Sequence, residues 1–367
     1  MALPPISNSV PSAPDSARAG NGSRPASNGR SPSFAFIGWN PFQFRQILGV
    51  ARQLENSCLV IEKRADHIFH FDESILTESG RPVVIWSRKR VDRLDGLFDV
   101  IVCQTPFSQM ETISRSKIAM MQYGYAKEEH NYGQWRSAAG LCLAYGDYAA
   151  RKLSPLCPVE VTGNPIMDAW YTGEFHQAAR ARYGALLDPT KKTVLYAPTW
   201  GDLSTMDLYL DEVKSLASDF NVLLKLHHNT DMLDKPKRKG ARSGVALSFG
   251  ANDSLLDLFS ISDIVLSDYS GAIFDALNCE KPVILLHSET TLRFGEKMGP
   301  GSLEYASRHR IGPVIEEHGI LRKTVQEVFA GTLDFTQENR ALTSELYLQG
   351  PGATQRAAAA LMDFALR

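Results

Sequence analysis

One stretch of the sequence restricts the fold class most narrowly: Asp257-Leu-Phe-Ser-Ile-Ser-Asp-Ile-Val-Leu-Ser-Asp-Tyr-Ser-Gly-Ala-Ile-Phe-Asp-Ala-Leu-Asn278, followed by Lys281-Pro-Val-Ile-Leu-Leu286. Its apolar run Ile264–Leu266 predicts a short buried strand, and residues 272–277 predict a helix that begins directly after a Ser/Gly turn. A strand, a turn, a helix and a second strand in this order are typical of a parallel α/β sheet.

The turn in this stretch has the residues that an anion site needs. Free backbone N–H groups at the start of the following helix attract negative charge. Ser270 adds a hydroxyl donor, and Gly271 lets a phosphate approach the backbone closely. Asp275, one helical turn later, is placed to reach a ribose hydroxyl. The alternative is an ordinary capped core helix that binds no ligand.

Apolar runs alternate with helical patterns along the rest of the chain, which predicts parallel βαβ units. The strands predicted for the first unit are Phe34–Trp39, Ser57–Ile61, Pro82–Trp86, Val100–Cys103, Ile118–Tyr123, Leu141–Tyr145 and Val159–Thr162. Those predicted for the second are Thr193–Tyr196, Val222–Leu226, Val245–Phe249, Ile264–Leu266, Val283–Leu286 and Gly312–Ile315. We expect an α/β protein of GT-B architecture, in which two Rossmann-like doubly wound domains face a central cleft and a C-terminal helix closes back.

The domain boundaries follow from composition. Residues 1–33 are rich in Ser, Pro, Ala, Asn and Gly and predict a disordered extension, with an organelle transit peptide as the alternative. Residues 34–165 form the predicted N-terminal acceptor domain, and residues 166–190 form a linker. Residues 191–335 form the predicted nucleotide-donor domain, and residues 336–367 add C-terminal helices broken near Gly350-Pro-Gly352.

Composition excludes several classes of protein. The chain has 367 residues, 44% of them hydrophobic, and a formal net charge of -2, so no basic field favours nucleic acid. No apolar stretch is long enough to span a bilayer, and the N-terminus lacks the pattern of a secretory signal. The five cysteines show no CxxC spacing and lie mostly in apolar runs, which predicts buried thiols in a reducing compartment.

Three further segments end predicted strands and converge on the same cleft by topology. Leu195–Gly201 contains Ala-Pro-Thr199-Trp, and Leu223–His228 offers Lys225, His227 and His228. Val161–Asp168 contains Gly-Asn164-Pro and closes the first domain. A single histidine at a strand end is more often structural. Its position opposite a phosphate-binding turn favours a role in the site.

These segments together resemble the CDP-glycerol glycerophosphotransferase family, the teichoic-acid and capsule polymerases and primases of bacteria. The resemblance rests on Tyr196-Ala-Pro-Thr-Trp200, Lys225-Leu-His227, Ser262-Asp263, Ser267-Asp-Tyr-Ser270, Phe274-Asp275 and Lys281-Pro282, together with Thr162-Gly-Asn-Pro165 and Asp168. Order and spacing agree over residues 117–290. Each motif alone is weak, and the combination is specific.

The resemblance implies a phosphoryl transfer that needs neither metal nor cofactor. An acceptor hydroxyl would attack the β-phosphorus of CDP-glycerol, or of a related CDP-alditol, and release CMP. His227 would stabilise pyrophosphate charge. The implied donor-binding residues are Thr199, Asp268, Tyr269, Ser270, Gly271, Asp275 and Asn164. The acceptor would be a glycan or a polyol phosphate, free or lipid-linked. The enzyme would act in the cytoplasm or at the inner face of the membrane, with at most peripheral membrane contact.

Two departures from the family pattern concern the chemistry. Gly271 replaces a second serine of the turn, so one hydroxyl donor is lost. In the first domain, the family's Trp-His-Gly motif supplies a histidine base, but the matching position is Tyr123. A tyrosine is a poor base at neutral pH, so His130 is a candidate to replace it. The basic run Lys235–Arg242 predicts a solvated loop.

Two other functions remain open from sequence. A nucleotide-sugar glycosyltransferase or an enzyme similar to UDP-N-acetylglucosamine 2-epimerase would share the Gly-Asn-Pro segment and the phosphate turn. An inactive nucleotide-binding homologue would explain the missing histidine. The Asp-Tyr-Ser and Ala-Pro-Thr-Trp combination favours the transferase.

Overall fold

The computed structural model describes residues 30–64, 71–289, 292 and 294–367. The extension predicted at residues 1–33 lies outside the described residues up to residue 29. Ser33, the last residue of that predicted extension, is buried, and its backbone N–H donates to Asp99 Oδ2 over 2.8 Å. The ordered part of the chain therefore includes Ser33.

The first sheet contains, among the described residues, seven parallel strands in the order β3-β2-β1-β4-β5-β6-β7. Its strands are β1 Phe34–Gly38, β2 Ser57–Lys63, β3 Val83–Ser87, β4 Val100–Cys103, β5 Lys117–Met121, β6 Leu141–Ala144 and β7 Val159–Val161. Its helices are α1 Pro41–Gln53, α2 Glu73–Thr77, α3 Glu128–Asn131 and α4 Asp147–Leu153. Every predicted apolar run of this half forms a strand.

The second sheet contains six parallel strands within the described ranges, in the order β10-β9-β8-β11-β12-β13. Its strands are β8 Thr193–Tyr196, β9 Asn221–Lys225, β10 Leu247–Phe249, β11 Ile264–Ser267, β12 Val283–Leu286 and β13 Val314–Ile315. Its helices are α7 Met206–Ser215, α8 His228–Leu233, α9 Lys235–Arg242, α10 Leu255–Ile261, α11 Ala272–Asn278, α12 Leu303–Ala306, α13 Arg308–Ile311 and α14 Leu321–Phe329. The predicted doubly wound α/β architecture is confirmed.

Both sheets place their first strand in the middle. β1 pairs with β2 on one side and β4 on the other, and β8 pairs in the same way with β9 and β11. The strand order therefore reverses next to β1 and β8, and loops on the two sides of the reversal point diverge and leave a crevice. The central strands are buried along their whole length because helices cover both faces.

The start of α1 shows how the sequence sets a local boundary. Asn40 caps the helix, because its Oδ1 accepts from the backbone N–H of Gln43 over 3.0 Å. Pro41 occupies the first turn, where its missing N–H costs no hydrogen bond. The chain thus turns sharply after β1, which places Trp39 and Asn40 at the carboxyl end of the sheet.

The predicted linker contains two helices, α5 Met167–Trp170 and α6 Gly173–Tyr183. Its Asp168 carboxylate accepts from the backbone N–H groups of Gly352, Ala353 and Thr354 at 2.7–3.0 Å. The linker therefore holds the start of the last helix. The division of the chain into domains at residues 165 and 190 stays a prediction.

The C-terminal helices are α15 Thr336–Leu346 and α16 Ala353–Leu366. α16 returns to the first domain and packs against α1, as predicted. The two helices approach closely at Gly49, where an added Cβ would lie 3.4 Å from the side chain of Thr354. Leu361 is fully buried in this contact.

The predicted basic loop at Lys235–Arg242 is wrong, because these residues form α9. Asp234 caps the helix by accepting from the backbone N–H of Lys237 over 3.0 Å, and Pro236 lies in its first turn. Arg242 forms an ion pair with Asp231 over 2.8 Å. The proline and the run of charge look like a loop in sequence, but both are compatible with a short capped helix.

The cysteines Cys58, Cys103, Cys142, Cys157 and Cys279 are buried and free, as predicted. Among the residues that the structure describes, no helix is both long and apolar enough to cross a membrane.

We expect Leu361→Ala to destabilise the protein by about 2–5 kcal/mol, because it leaves a cavity between α16 and α1. Denaturant unfolding followed by circular dichroism measures this change. Leu366→Ala is the matched control, since Leu366 is 62% exposed, and it should change the free energy of unfolding by less than about 0.5 kcal/mol. Equal effects of the two substitutions would show that α16 contributes no core.

Candidate active site

A cavity of about 590 Å³ lies between the carboxyl ends of the two sheets. The first domain lines it with residues that follow β1 to β5, and the second domain with residues at or after the ends of β8 to β12. Seven sequence-predicted site residues line it: Tyr123, His130, Thr199, His227, Ser270, Gly271 and Asp275. The predicted convergence of strand ends on one cleft is thus observed.

Three other predicted residues do not line the cavity. Asn164 is buried in the segment that leads to the linker, and its backbone carbonyl accepts from Met167 N–H over 3.0 Å. Asp268 and Tyr269 are fully buried beneath the turn. Any effect of these residues on a ligand would therefore pass through the residues that they hold.

Asp268 holds the turn in place through four hydrogen bonds. Its carboxylate accepts from the backbone N–H groups of Thr199, Thr205 and Tyr269 at 2.8–3.0 Å, and from the Thr205 hydroxyl over 3.2 Å. Burial raises the pKa of Asp268, and these backbone donors oppose that rise. The carboxylate joins the Ala-Pro-Thr199 segment to the Ser270-Gly271 turn.

Tyr269 and the residues around it also support the Ser270-Gly271 turn. The Arg308 guanidinium lies 4.8 Å from the centre of its ring, and Arg308 Nη1 donates to the Asp268 carbonyl over 3.0 Å. The Tyr269 hydroxyl contacts His287 Nδ1. This packing keeps the Tyr269 ring away from the cavity and leaves its backbone carbonyl at the turn.

His227 caps α8, and this fixes its tautomer. Its Nδ1 accepts from the backbone N–H of Asn229 over 3.1 Å, so the neutral ring carries its proton on Nε2. Burial lowers the pKa of His227 well below its usual value, and the charges of Lys127 and Lys225 add to the effect. The ring, which stacks on Trp200 at 5.9 Å, is therefore a neutral hydrogen-bond donor.

Tyr123 meets His228 across the cleft. The Tyr123 hydroxyl lies 3.5 Å from His228 Nε2, and Phe42 packs against both rings. Burial raises the pKa of Tyr123, and the negative charge of Asp275 raises it further. Burial lowers the pKa of His228 to about 3. Both groups are uncharged at neutral pH, so Tyr123 can donate or relay a proton but is a poor base.

His130 lies in α3 at the rim of the cavity, where it is exposed and its ring lies 6.2 Å from that of Trp135. Partial burial lowers its pKa, and the charges of Arg136 and Lys297 add to this effect. The imidazole is therefore unprotonated at neutral pH and can accept a proton.

Asp275 lines the cavity from α11. Burial raises the pKa of its carboxyl group to about 7, and a hydrogen bond from the Tyr347 hydroxyl, 3.4 Å away, opposes the rise. A carboxyl group near half-protonation can donate to a sugar hydroxyl or accept from one. The ribose contact expected for Asp275 stays a prediction.

Sequence reasoning missed most of the positive charge in the cavity. The basic side chains that line it are Arg64, Arg88, Lys127, Lys225 and Lys297. Arg64 and Arg88 directly follow β2 and β3, so their topology was a usable signal. Burial lowers the pKa of Lys225 to about 8.

Among the described residues, no group of three or more His, Cys, Asp and Glu side chains is arranged to hold a metal ion.

Comparison with protein families gives a match to CDP-Glycerol:Poly(glycerophosphate) glycerophosphotransferase over residues 158–347. The chain belongs to this family. The glycerophosphotransferase match covers the second domain and the helices up to Tyr347, and it begins after Tyr123 and His130. The departure at Tyr123 thus lies in the part of the chain that the family model leaves unmatched, whereas the departure at Gly271 lies inside the match.

Two curated relatives are similar to the chain over a short stretch. The teichoic acid poly(glycerol phosphate) polymerase of Bacillus subtilis is 31% identical over 108 residues, which are 26% of this chain and 14% of the relative. The polymerase of the same name from Staphylococcus epidermidis is 29% identical over 99 residues, 24% of this chain and 13% of the relative. The matched stretches are thus small parts of both polymerases.

Solved structures support the fold. The wall teichoic acid polymerase TagF aligns with a TM-score of 0.59 and 16% identity, over 91% of this chain and 88% of that chain. The S. aureus MnaA–UDP complex aligns with a TM-score of 0.58 and 14% identity, over 92% and 98%. At these identities the likeness concerns the fold alone, and the predicted GT-B architecture is confirmed.

We expect Ser270→Ala to weaken binding of CDP-glycerol by about 1–2 kcal/mol, the contribution of one charge-assisted hydrogen bond. Gly271→Val should weaken binding more, because its side chain would occupy the space that a phosphate needs. Gly271 has helical backbone angles, and an added Cβ would meet only Ala126, at 3.8 Å, so the fold should tolerate the change. Titration calorimetry measures both affinities.

An unchanged melting temperature is the control for both variants. If both variants are folded and bind CDP-glycerol as tightly as the wild type, the Ser270-Gly271 turn is not the donor site.

Proposed function

We propose that this glycerophosphotransferase-family chain transfers a glycerol phosphate, or a related alditol phosphate, from a CDP-activated donor to an acceptor hydroxyl and releases CMP. The acceptor is a glycan or a polyol phosphate, free or lipid-linked. One observation carries the proposal: the Ser270-Gly271 turn, His227 and Asp275 of the family-matched domain share a cavity with His130 of the first domain.

The proposed step forms one bond and breaks one. The acceptor oxygen attacks the β-phosphorus of the donor, and the bond from that phosphorus to the bridging oxygen breaks. The electron pair of that bond leaves on the phosphate of CMP. The hydroxyl proton passes to a base, and the glycerol phosphate stays on the acceptor. Such a transfer needs positioning and charge stabilisation more than covalent help from the protein.

The second domain would bind the donor. We assign the phosphates to the Ser270-Gly271 turn and to His227, whose neutral ring offers its Nε2–H to a phosphate oxygen. A donor that stays neutral needs no reorganisation as charge develops in the transition state. Asp275 would bind the ribose, and Thr199 would contact the donor from the neighbouring loop. Asp268, Tyr269 and Asn164 would support these residues without contacting the donor.

The first domain would bind and activate the acceptor. We assign the base to His130, because its lowered pKa keeps the imidazole unprotonated at neutral pH. Tyr123, with a raised pKa, would orient the acceptor hydroxyl or the His228 ring. We also infer that the reaction takes place in the cytoplasm, at the inner face of the membrane when the acceptor is lipid-linked. The buried free thiols support a reducing compartment.

A release assay tests the reaction. The full chain is incubated with CDP-glycerol and a poly(glycerol phosphate) acceptor, and CMP is measured by chromatography. We expect acceptor-dependent CMP release, with a rate in excess EDTA within about twofold of the rate without it, since turn, histidine and lysine groups can stabilise the charge. CDP-ribitol and UDP-N-acetylglucosamine are the comparison donors.

The outcomes separate the candidate functions. Turnover of UDP-N-acetylglucosamine without CMP release from either CDP-alditol would favour the epimerase or glycosyltransferase alternative. Tight CDP-glycerol binding without any turnover would favour an inactive nucleotide-binding homologue. Loss of activity in EDTA that Mg²⁺ restores would contradict metal independence.

We expect His130→Ala to lower kcat by about 10²–10⁴-fold, the usual range for general acid–base catalysis, with donor affinity unchanged. The base must be unprotonated, so wild-type activity is present above the pKa of His130 and is lost as pH falls through it. Because that pKa is lowered, the acidic limb of the rate profile should lie below pH ~6.5, the ordinary histidine value, and vanish in His130→Ala.

Two controls accompany this variant. His318→Ala removes an exposed histidine outside the cavity and should leave the profile unchanged. Tyr123→Phe should cost less than about tenfold, the value of one hydrogen bond. A silent His130→Ala with a strongly impaired Tyr123→Phe would overturn the assignment of the base.

A further inference from the structure

Lys127 is held in an uncommon backbone conformation at the edge of the cavity. Its φ is 65°, in the left-handed region that non-glycine residues rarely adopt. Its backbone N–H donates to Glu304 Oε1 over 2.6 Å, and its carbonyl accepts from the N–H of Asn131 over 2.8 Å. Contacts from both domains therefore fix the backbone position of Lys127.

The Lys127 side chain crosses from the first domain to the turn of the second. Its Nζ donates to the backbone carbonyl of Tyr269 over 2.8 Å, directly before Ser270 and Gly271. Lys127 lines the same cavity as these two residues, and its neighbour Ala126 lies 3.8 Å from the place of a Cβ on Gly271. An ammonium group from the acceptor side is thus fixed beside the turn expected to hold the phosphates.

This ammonium has hydrogen-bonding capacity left for a ligand. An ammonium group has three N–H donors, and the Tyr269 carbonyl takes one of them. Burial lowers the pKa of Lys127, while the carboxylates of Glu304 and Asp268 oppose this. Asp268 already accepts four hydrogen bonds, and Glu304 accepts from the Lys127 backbone. An anion in the cavity would offer the ammonium a strong partner.

We propose that Lys127 is a catalytic residue that binds the leaving phosphate of the donor. The inference rests on the proposed transfer from a CDP-activated donor. When the acceptor oxygen bonds to the β-phosphorus, the electron pair of the breaking bond leaves on the α-phosphate of CMP. The free N–H groups of Lys127 donate to that phosphate as its charge grows. Since Lys127 belongs to the first domain, this stabilisation requires the two domains to face each other.

The test compares two ligands that differ only in the phosphate. Titration calorimetry measures the affinity of the full chain for CMP and for cytidine. We expect Lys127→Met to weaken CMP binding by about 10- to 100-fold, the effect of a hydrogen bond between charged groups, and to leave cytidine binding unchanged. Lys127→Arg keeps the charge and should retain part of the preference for CMP.

Lys323→Met is the matched control, because Lys323 lies in α14 with its side chain 77% exposed, and it should bind both ligands as the wild type does. Transfer from CDP-glycerol should fall in Lys127→Met by about 10²–10³-fold, as for loss of one preorganised donor. If Lys127→Met weakens the binding of cytidine as much as the binding of CMP, Lys127 has a structural role and the inference is overturned.

Inorganic pyrophosphate separates this inference from the proposed function. It carries the phosphates without the nucleoside, so its affinity should also fall in Lys127→Met. A wild type that binds pyrophosphate in a Lys127-dependent way but binds neither CMP nor cytidine would overturn the CDP donor and leave Lys127 as a phosphate ligand. If Lys127→Met binds pyrophosphate as tightly as the wild type does, and also binds CMP as tightly as the wild type does, only the proposed role of Lys127 is overturned.

Discussion

The buried carboxylate of Asp268 is the constraint on which the site depends. It accepts three backbone N–H groups and one hydroxyl, from two loops that follow the neighbouring strands β8 and β11. A buried carboxylate without these donors would be strongly disfavoured, so the loops can adopt only arrangements that satisfy it. The position of Thr199 relative to Ser270 and Gly271 follows from this one group.

The C-terminal segment contacts both the cavity and the core of the first domain. Asp168 caps α16, and the Tyr125 hydroxyl donates to the carbonyl of Leu346, the last residue of α15. The neighbouring Tyr347 donates to Asp275 in the cavity. Leu346 and Tyr347 thus connect Asp275, the residue expected to bind ribose, with Tyr125 in the core of the acceptor side.

The electrostatics of the cavity divide between neutral and charged groups. Burial keeps His227 and His228 neutral, while the lysines and arginines around them supply positive charge. Burial lowers the pKa of Lys127 and of Lys225, and an anionic ligand would reverse that effect by pairing with them. The charges of the cavity would therefore complement those of the diphosphate in the proposed donor.

The sequence alone determined the elements and the architecture, because strand and helix patterns are local. The runs Val100–Cys103, Thr193–Tyr196 and Val283–Leu286 were predicted to the residue, since helices on both faces demand unbroken apolar strands. The turn at Ser270-Gly271 was predicted for the same local reason. α9 was not, because proline and charge are as compatible with a loop as with a capped helix.

Only the tertiary structure decided which side chains reach the cavity and in what state. Asp268 and Tyr269 belong to the same motif as Ser270, yet they point into the protein, because buried donors and Arg308 hold them there. Lys127 lies more than a hundred residues from the turn that it touches, and no local pattern predicts that contact. The tautomer of His227 and the raised pKa of Asp275 likewise depend on burial and partners, which the fold supplies from distant parts of the chain.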